Sequence, residues 1–420
     1  MKNITFPRQR LYDVNHYAFI KSTLTGTINK YEKTDNGFLI EKDLERVFYD
    51  YTGIKGLIPL SRGRLAIYFA VKHSISSKRR KVILSPFTIF DLVNMVLVAG
   101  GYPFFIDSEP GTAHISYQEI ARAIDEETAA VIVTHYHSTN RDIGKISALC
   151  RSCGVALIED CAISLGARVH GQHVGSFGDF ALFSFGLFKF VSTYYGGGMI
   201  VRDKKKAAMI SSQLESWPRM SSRDLFPYFI KGVKFSVLTQ KQIFNYFTFP
   251  IFRFGYLNNI NFIKNNAKND PNPILRNTLP SRFKRRPSIF QIREFVRQIP
   301  MIETGRRIRI ENALRYYRRF ESAKIDGLPE VPDRDMDCYL NFPLIISKNK
   351  EKFVAEMMKS DFDLAVYYYR NCAEIECFNV YYRDLPNIAS FVKNLVFFPV
   401  YPGIDHEYID KITKRAIDIL

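Results

Sequence analysis

The chain has 420 residues, of which 46% are hydrophobic, and a formal net charge of +17. A chain of this length can bury a large core and is expected to form two domains, which excludes a small scaffold that depends on disulfides. Its six cysteines are few for this length, and residues 1–10 lack the apolar core of a signal peptide. We therefore expect a reducing, cytoplasmic location.

Residues 1–45 show no clear periodicity and are predicted to form an irregular arm. Apolar strands and amphipathic helices then alternate along the chain. Strands are predicted over 56–61, 81–85, 104–107, 129–135, 155–160, 180–185 and 199–202. Helices are predicted between them over 64–73, 89–99, 117–124 and 143–153. Continuous apolar strands that alternate with helices are typical of a mainly parallel sheet covered on both faces.

A different pattern follows a basic, aromatic insertion at about 204–287. The sequence predicts a long helix over 289–320, strands over 339–346, 364–369 and 395–400, and helices over 350–359 and from His406 onward. This mixture indicates a smaller α+β domain over 288–420, after a larger α/β domain over 46–287 that includes the insertion.

The insertion carries most of the net charge. Between Ser216 and Arg293 there are 14 Lys and Arg against two acidic residues, interleaved with Phe and Tyr. Its longest uncharged run, 242–252, is shorter than the roughly 20 residues that a membrane-spanning helix needs. Such a stretch suits an anionic surface, so we expect either peripheral contact of 216–286 with an anionic membrane at its inner face or binding of a phosphate-bearing ligand. A packed helical excursion with solvated cations is the alternative.

Two other ligand classes are not expected. The insertion shows no helix-turn-helix, zinc-finger or RNA-recognition pattern, so we predict no nucleic acid partner. Cys150 and Cys153 form a CxxC within a helical pattern, without a second pair or nearby histidines. Because structural metal ligands come in complete sets, we predict no metal site.

Lys189 and Asp160 are the most informative residues of the sequence. Lys189 follows the apolar strand over 180–185, and Asp160 ends the strand over 155–160. A buried lysine loses part of its charge stabilisation, which lowers its pKa as a Schiff-base lysine requires. An acidic residue beside it could hold a pyridinium nitrogen protonated. The pair points to pyridoxal 5'-phosphate (PLP), although a helix cap and a surface lysine remain the simpler alternatives.

A phosphate-binding element is also predicted. Gly63 and Arg64 open the helix predicted over 64–73, and the N-H groups at a helix start bind phosphate. Arg64 could add a bidentate contact, and Ser184 is a second phosphate donor candidate. A glycine at a helix start is also common in ordinary turns.

The order of these motifs resembles the DegT/DnrJ/StrS family of PLP-dependent sugar aminotransferases. The resemblance rests on motifs in this order: 63–66 (GRLA), 86–88 (PFT), 105–107 (FID), 133–135 (VTH), 158–162 (IEDCA), 175–179 (GSFGD), 183–185 (FSF) with Lys189, 196–198 (GGG) and 397–403 (FFPVYPG). It covers about 45–420, interrupted by the insertion.

The resemblance implies a fold type I PLP-dependent transferase, usually a homodimer with its active site at the subunit interface. Lys189 would attach PLP covalently, Asp160 would pair with the pyridine nitrogen, and Gly63, Arg64 and Ser184 would hold the phosphate. Family members move an amino group, typically from glutamate, to a keto group of a nucleotide-activated sugar, as in the synthesis of surface polysaccharides. Related sugar dehydratases have histidine in place of the lysine, so transamination is expected.

The chain differs from the family at several cofactor-facing positions. Arg64 replaces a threonine, Ile89 an aromatic residue, and Ile163 a histidine or glutamine, while Phe190 replaces an asparagine after the lysine. Weaker substrate-contact candidates follow strand ends, where open α/β sheets bind ligands. They are His135, Tyr136 and His137 after one strand and, after another, residues 367–371 (YYYRN), which include Tyr369 and Arg370.

Two other functions stay open on the sequence alone. One is a PLP enzyme of the same fold that acts on another keto compound, such as a lipid-linked one at the membrane surface. The other is a non-catalytic interaction protein that kept the fold while its site residues changed.

Overall fold

The computed structural model describes residues 5–11, 14–30, 39–260, 273–366 and 369–420. Its strands are β1 (Ile58–Leu60), β2 (Lys81–Leu84), β3 (Phe87–Thr88), β4 (Tyr102–Phe105), β5 (Thr128–Thr134), β6 (Ala156–Asp160), β7 (Arg168–Val169), β8 (Gln172–His173), β9 (Phe180–Ser184), β10 (Gly197–Val201), β11 (Asn341–Ile345), β12 (Arg370–Asn371) and β13 (Leu395–Pro399).

Helices surround these strands. They are α1 (His16–Leu24), α2 (Ile40–Thr52), α3 (Arg64–Lys72), α4 (Phe90–Val98), α5 (Tyr117–Ala123), α6 (Ile143–Ser152), α7 (Lys204–Glu215), α8 (Ser222–Leu238), α9 (Lys241–Ile243), α10 (Phe249–Leu257), α11 (Ile289–Gln298), α12 (Ile302–Ser322), α13 (Lys350–Lys359), α14 (Pro386–Asn394) and α15 (His406–Ile419). A π-helical turn, Phe244–Thr248, joins α9 to α10. Short 3-10 turns lie at Ser281–Phe283, Ile299–Met301, Cys372–Glu374 and Glu376–Tyr381.

The main sheet has seven strands in the order β1-β10-β9-β6-β5-β2-β4. Five strands, β9, β6, β5, β2 and β4, run parallel to one another. Strand β10 is antiparallel to both of its neighbours, β9 and β1. The prediction of a mainly parallel seven-stranded α/β sheet is confirmed.

Both faces of the main sheet are buried. Successive side chains of β5 alternate between two apolar clusters, with Ile132 in one and Val131 and Val133 in the other. The first cluster includes the inner faces of α3 and α4, and the second those of α2, α6 and α11. This period of two in a continuously apolar strand is what a sheet between two helix layers requires.

A third cluster lies in the C-terminal part of the chain. It joins α12, α13 and α15 to the antiparallel pair β11 and β13. Strand β12 reaches back to the first part of the chain, where Arg370 pairs with Thr88 of β3. This pairing brings the C-terminal part against the carboxyl ends of the parallel strands. The domain boundary at 287/288 stays a prediction, and α11 packs with the core of the main sheet.

Three local predictions differ from the structure. The region predicted as irregular contains α1, whose Phe19 is buried against α8 and α11. The helix predicted over 289–320 is divided at Ile299–Met301, because Pro300 cannot donate the backbone hydrogen bond that a continuous helix needs.

The strand predicted over 364–369 is also different. Its described residues form a single bridge, Ala365 to Phe397, and the ladder lies later, at β12. The apolar pattern of 364–366 reflects burial in the core, since Leu364 is fully buried. Tyr367 and Tyr368 lie outside the described residues.

Within the described part of the chain, none of the helices has both the length and the hydropathy that a membrane crossing requires.

Candidate active site

A cavity of about 1070 Å³ lies at the carboxyl ends of β6 and β9. Its wall combines residues from the main sheet, the start of α3, the insertion helix α8 and the C-terminal part of the chain. Ligands in open α/β sheets bind at this edge, outside the carboxyl ends of the strands. The cavity is therefore where a functional site is expected on topology alone.

Lys189 lies on the cavity wall, in the turn that follows β9. Its backbone N-H donates to the Gly186 carbonyl at 3.2 Å. Burial lowers the pKa of the Lys189 amine to about 8, against the opposing effect of the Asp160 carboxylate and with the help of the Arg64 guanidinium. A usable fraction of this amine, roughly a tenth, is consequently neutral at pH 7 and able to act as a nucleophile.

Asp160 ends β6 and lines the same cavity. Its carboxylate accepts the Ala162 backbone N-H at 3.0 Å and the Thr134 hydroxyl at 3.5 Å. Burial raises the pKa of Asp160, while these two hydrogen bonds and the Lys189 charge oppose the increase. A buried carboxylate in this environment is stabilised by a cation. The pair predicted from the sequence thus shares one cavity.

The start of α3 forms the third predicted part of the site. No side chain caps this helix, and its N-cap residue, Gly63, lines the cavity. A Cβ atom at Gly63 would lie 3.1 Å from both the Phe183 carbonyl oxygen and the Ser184 Cβ. A Cβ at Gly197 would lie only 2.4 Å from the Gly63 Cα. Because these segments approach so closely, the helix N-terminus and Ser184 border the same part of the cavity.

Arg64 lies on the cavity wall but has a partner already. Its guanidinium forms an ion pair with Asp91, a buried carboxylate that also accepts Arg276 Nε at 3.3 Å. This ion pair with Asp91 competes with the bidentate phosphate contact that was predicted for Arg64. Its charge still reaches Lys189, whose pKa it lowers.

The two cofactor-facing isoleucines are in different places. Ile89 is 40% exposed and lines the cavity beside Phe90. Ile163 is 1% exposed, packs within the core below the cavity and is not part of its wall. The turn after Asp160 directs Ala162 to the cavity instead, so contact of Ile163 with a ligand is not supported.

Among the weaker substrate candidates, some line the cavity and others lie in the core. Tyr369 lines the cavity and packs against Phe87, with ring centroids 5.1 Å apart. His135 is fully buried and pairs with Glu159, and His137 packs between Tyr339 and Phe397. Neither histidine belongs to the cavity wall. Burial lowers the pKa of His137 to about 3, so its ring is neutral. Both histidines are better explained as core residues.

Glu159 organises the loop beside β6. Its two oxygens accept backbone N-H groups from Gly175 at 2.8 Å, Phe177 at 2.7 Å and Gly178 at 2.6 Å, besides the contact with His135 at 3.1 Å. Cys161 lies within 4.8 Å of these groups. Although the three residue types could ligate a metal, the backbone amides occupy the Glu159 oxygens, which makes the cluster a structural one.

Replacement of Glu159 by glutamine is expected to lower the free energy of unfolding by about 3 kcal/mol, because the amide NH2 would face backbone donors in a buried position. Urea unfolding monitored by fluorescence measures the change. Glu330→Gln is the matched control, since Glu330 is exposed and pairs only with Arg141 at 3.0 Å among its described contacts. That change is expected to alter stability by less than about 0.5 kcal/mol. Equal effects of the two substitutions would contradict the role of Glu159.

Sequence reasoning missed several residues of the cavity wall. They are Tyr195, Tyr228, Lys231 and Lys350. Tyr228 and Lys231 belong to α8 of the insertion, and Lys350 to α13 in the C-terminal part. The local sequence pattern around these residues does not predict that they line a cavity, because contacts between distant segments of the chain bring them together.

The strand order, the antiparallel β10 and the lysine-aspartate pair define the fold type I class of PLP-dependent transferases. The sequence profile of the DegT/DnrJ/EryC1/StrS aminotransferase family matches residues 23–224 and 295–416. The chain belongs to this family. Residues 225–294, which include most of α8 and all of α9 and α10, lie outside the match.

Relatives with named activities match part of the chain. The GDP-perosamine synthase of Vibrio cholerae is 31% identical over 43% of this chain and 50% of its own length. The putative pyridoxal phosphate-dependent aminotransferase EpsN of Bacillus subtilis (strain 168) is 32% identical over 40% of this chain and 46% of its length. The chain thus aligns with about half the length of these relatives.

Solved structures share the fold over the full length. Helicobacter pylori PseC, an aminotransferase involved in the biosynthesis of pseudoaminic acid, superposes with a TM-score of 0.72 over 99% of both chains at 16% identity. At this identity the likeness establishes the fold alone.

Proposed function

We propose that this protein is a PLP-dependent aminotransferase that transfers an amino group from glutamate to a keto group of a nucleotide-activated sugar. The observation that carries the proposal is the shared cavity of Lys189, Asp160 and the uncapped start of α3. Membership of the DegT/DnrJ/EryC1/StrS family supports the reaction, and the relative named GDP-perosamine synthase supports the substrate class.

The residues of the cavity fit PLP. The uncapped start of α3 and Ser184 suit its phosphate, since the small Gly63 and Gly197 let the helix start lie directly against β9 and β10. Asp160 is a buried carboxylate that suits the protonated pyridine nitrogen. Lys189 is a lysine of lowered pKa that suits covalent attachment.

When bound, PLP supplies an electron sink for negative charge that develops at the substrate carbon bearing the amine. Lys189 Nζ, of which roughly a tenth is neutral at pH 7, would take the proton from that carbon and return it within the same site. The hydrogen bonds from Ala162 and Thr134 favour the charged form of the Asp160 carboxylate and oppose the burial that raises its pKa. Ile89 and Phe90 form an apolar part of the wall.

The cavity also carries cations beyond Lys189. Lys231, Lys350 and Arg370 come from three separate segments of the chain. Such cations suit the carboxylates of an amino-acid donor and the diphosphate of an activated sugar. Their position supports a substrate with several negative charges.

The reaction can be tested with purified protein reconstituted with PLP, glutamate and a set of keto sugars linked to GDP, dTDP or UDP. We expect 2-oxoglutarate to accumulate beyond the single equivalent that the bound cofactor itself can produce only when an accepted keto sugar is present. Lys189→Ala with the same substrates is the control. Protein that binds PLP but releases no 2-oxoglutarate with any of these sugars would contradict the substrate class and leave cofactor binding standing.

The lowered pKa of Lys189 predicts the pH dependence of covalent PLP uptake. Only the neutral amine is nucleophilic, so its reactive fraction rises with pH and saturates above the pKa of about 8. We expect the rate of uptake by cofactor-free protein, followed by visible absorbance, to rise between about pH 6 and about pH 8 and then level off. A rate that keeps increasing tenfold per pH unit up to about pH 10 would indicate an ordinary lysine.

A second substrate class has one observation in its favour. Helix α8 lines the cavity with Tyr228 and Lys231 and exposes Phe226 and Ile230 to solvent. A keto substrate linked to a lipid could approach along such a helix from a membrane surface. Turnover of a lipid-linked keto sugar in preference to its soluble nucleotide form would favour this alternative.

We also propose a cytoplasmic homodimer that serves surface polysaccharide or amino-sugar synthesis, as the family resemblance implies. Sedimentation velocity of the PLP-loaded protein tests the oligomeric state. A monomer at all concentrations, with activity retained, would contradict the dimer.

A further inference from the structure

The insertion presents large apolar side chains to solvent along two consecutive helical segments. We define the outer face as the residues of this surface with exposed fractions of 36–67%: Phe226, Ile230, Val237, Leu238, Tyr246, Phe247, Ile251 and Phe254. A concentration of large exposed apolar side chains on neighbouring segments of the chain is typical of an interaction site.

The orientation of the second segment is fixed by its inner face. Phe244 and Phe249 are buried there. The Asn245 side chain accepts the Thr5 backbone N-H at 2.6 Å and donates to the Thr5 carbonyl at 2.9 Å. Arg253 forms an ion pair with Asp361. These contacts hold one side of the segment against the rest of the protein. The opposite side is exposed and carries Tyr246, Phe247, Ile251 and Phe254.

Helix α8 is held in the same way. Leu225 and Phe229 are buried in a cluster with Phe19, Tyr194 and Phe290. A Cβ at Gly232 would meet Tyr194 and Leu187 at 3.2 and 3.3 Å, so the helix lies close to the body of the protein. Phe226, Ile230 and Val237 are spaced four and seven residues apart and therefore share the opposite side.

The charge around the outer face decides between occupants. Arg223, Lys231, Lys234 and Lys241 are exposed on these segments. The acidic residue of α8, Asp224, accepts the Ser221 backbone N-H and hydroxyl, both at 2.8 Å, in a capping box. A second copy of the chain that docked through the same face would bring these cations close to their own counterparts and be repelled, whereas an anionic bilayer attracts them.

We propose that the outer face is a membrane-docking surface that inserts its aromatic and aliphatic side chains into the headgroup region of an anionic lipid bilayer. Cations beside the inserted side chains contact the lipid phosphates. An interfacial helix has this combination of apolar side chains and flanking Lys and Arg. The docked α8 borders the cavity through Tyr228 and Lys231, so the site would open close to the bilayer. The proposal does not depend on the reaction that the cavity performs.

The test is flotation of the PLP-loaded protein with vesicles of phosphatidylcholine and phosphatidylglycerol at roughly 3:1, compared with phosphatidylcholine alone. The wild type is expected to float with the anionic vesicles and to be released by about 0.5 M salt. The triple variant Phe247→Ser, Ile251→Ser, Phe254→Ser is expected to lose on the order of tenfold in vesicle affinity. Lys234→Glu with Lys241→Glu is expected to lose a similar factor, and most strongly at low salt.

The matched control removes three exposed apolar side chains from other surfaces: Leu24→Ser, Val380→Ser and Tyr382→Ser. It should float as the wild type does. Wild-type protein that ignores anionic vesicles at low salt, or a control that loses as much affinity as the outer-face variant, would overturn the proposal. A drop in oligomeric state of the outer-face variant in sedimentation velocity, without vesicle binding by the wild type, would assign the face to a second copy of the chain instead.

Discussion

Replacement of Lys189 by alanine is expected to abolish covalent attachment of PLP and to lower kcat by at least about 10³-fold, because the chain would lose both its nucleophile and the base that moves the proton. Wild-type protein treated with borohydride should retain the cofactor through denaturation. The variant should release it. Absorbance of the denatured, desalted protein measures the difference, and the release of 2-oxoglutarate measures kcat.

Lys350→Ala is the matched control for Lys189. Lys350 lines the same cavity, and burial also lowers its pKa, yet its ammonium donates to the carbonyls of Val392 and Leu395 at 3.4 and 3.5 Å. The control should keep the covalent link, whatever it does to KM. Retention of PLP by the denatured Lys189→Ala protein would show that another lysine holds the cofactor and would contradict the assignment.

Replacement of Asp160 by asparagine is expected to lower kcat by about 10²-fold or more while the covalent link to Lys189 still forms. The amide is nearly the same size but carries no charge, so it cannot keep a pyridinium nitrogen protonated. Steady-state kinetics and the absorbance spectrum of the bound cofactor measure the effect. The pKa of Lys189 should also fall further, because the Asp160 charge raises it in the wild type.

Asp337→Asn is the control for Asp160. Asp337 is also buried with a raised pKa, but it accepts backbone N-H groups of Thr139 at 3.1 Å and Asp333 at 2.8 Å away from the cavity wall. We expect that variant to lose stability and keep kcat within about threefold. Similar losses of kcat in both variants would mean that Asp160 acts through the fold rather than through the cofactor.

Local patterns in the sequence were sufficient for the main sheet. A continuously apolar strand such as β5 must be covered on both faces, and its alternation with helices leaves a parallel sheet as the simplest arrangement. The same patterns placed Lys189 and Asp160 at strand ends, where the order of strands brings them to one edge. Gly63 followed from the helix start alone.

The sequence patterns did not predict the surroundings of a side chain where these depend on which way the side chain points or on residues far away in the chain. Ile163 follows Asp160 by three residues, but the turn sends its side chain into the core. Arg64 opens a helix as predicted, yet its charge is directed to Asp91 on α4. Pro300 was visible in the sequence, and its missing N-H explains the break between α11 and α12.

The sequence by itself determined the fold class, the lysine-aspartate pair and the charge of the insertion, because each depends on short-range pattern or composition. Only the tertiary structure decided which residues surround that pair. Tyr228, Lys231 and Lys350 reach the cavity through packing between segments that lie far apart along the chain. It also decided which insertion aromatics are buried and which form the outer face, since an aromatic run becomes core or surface only when a partner fixes one side of its helix.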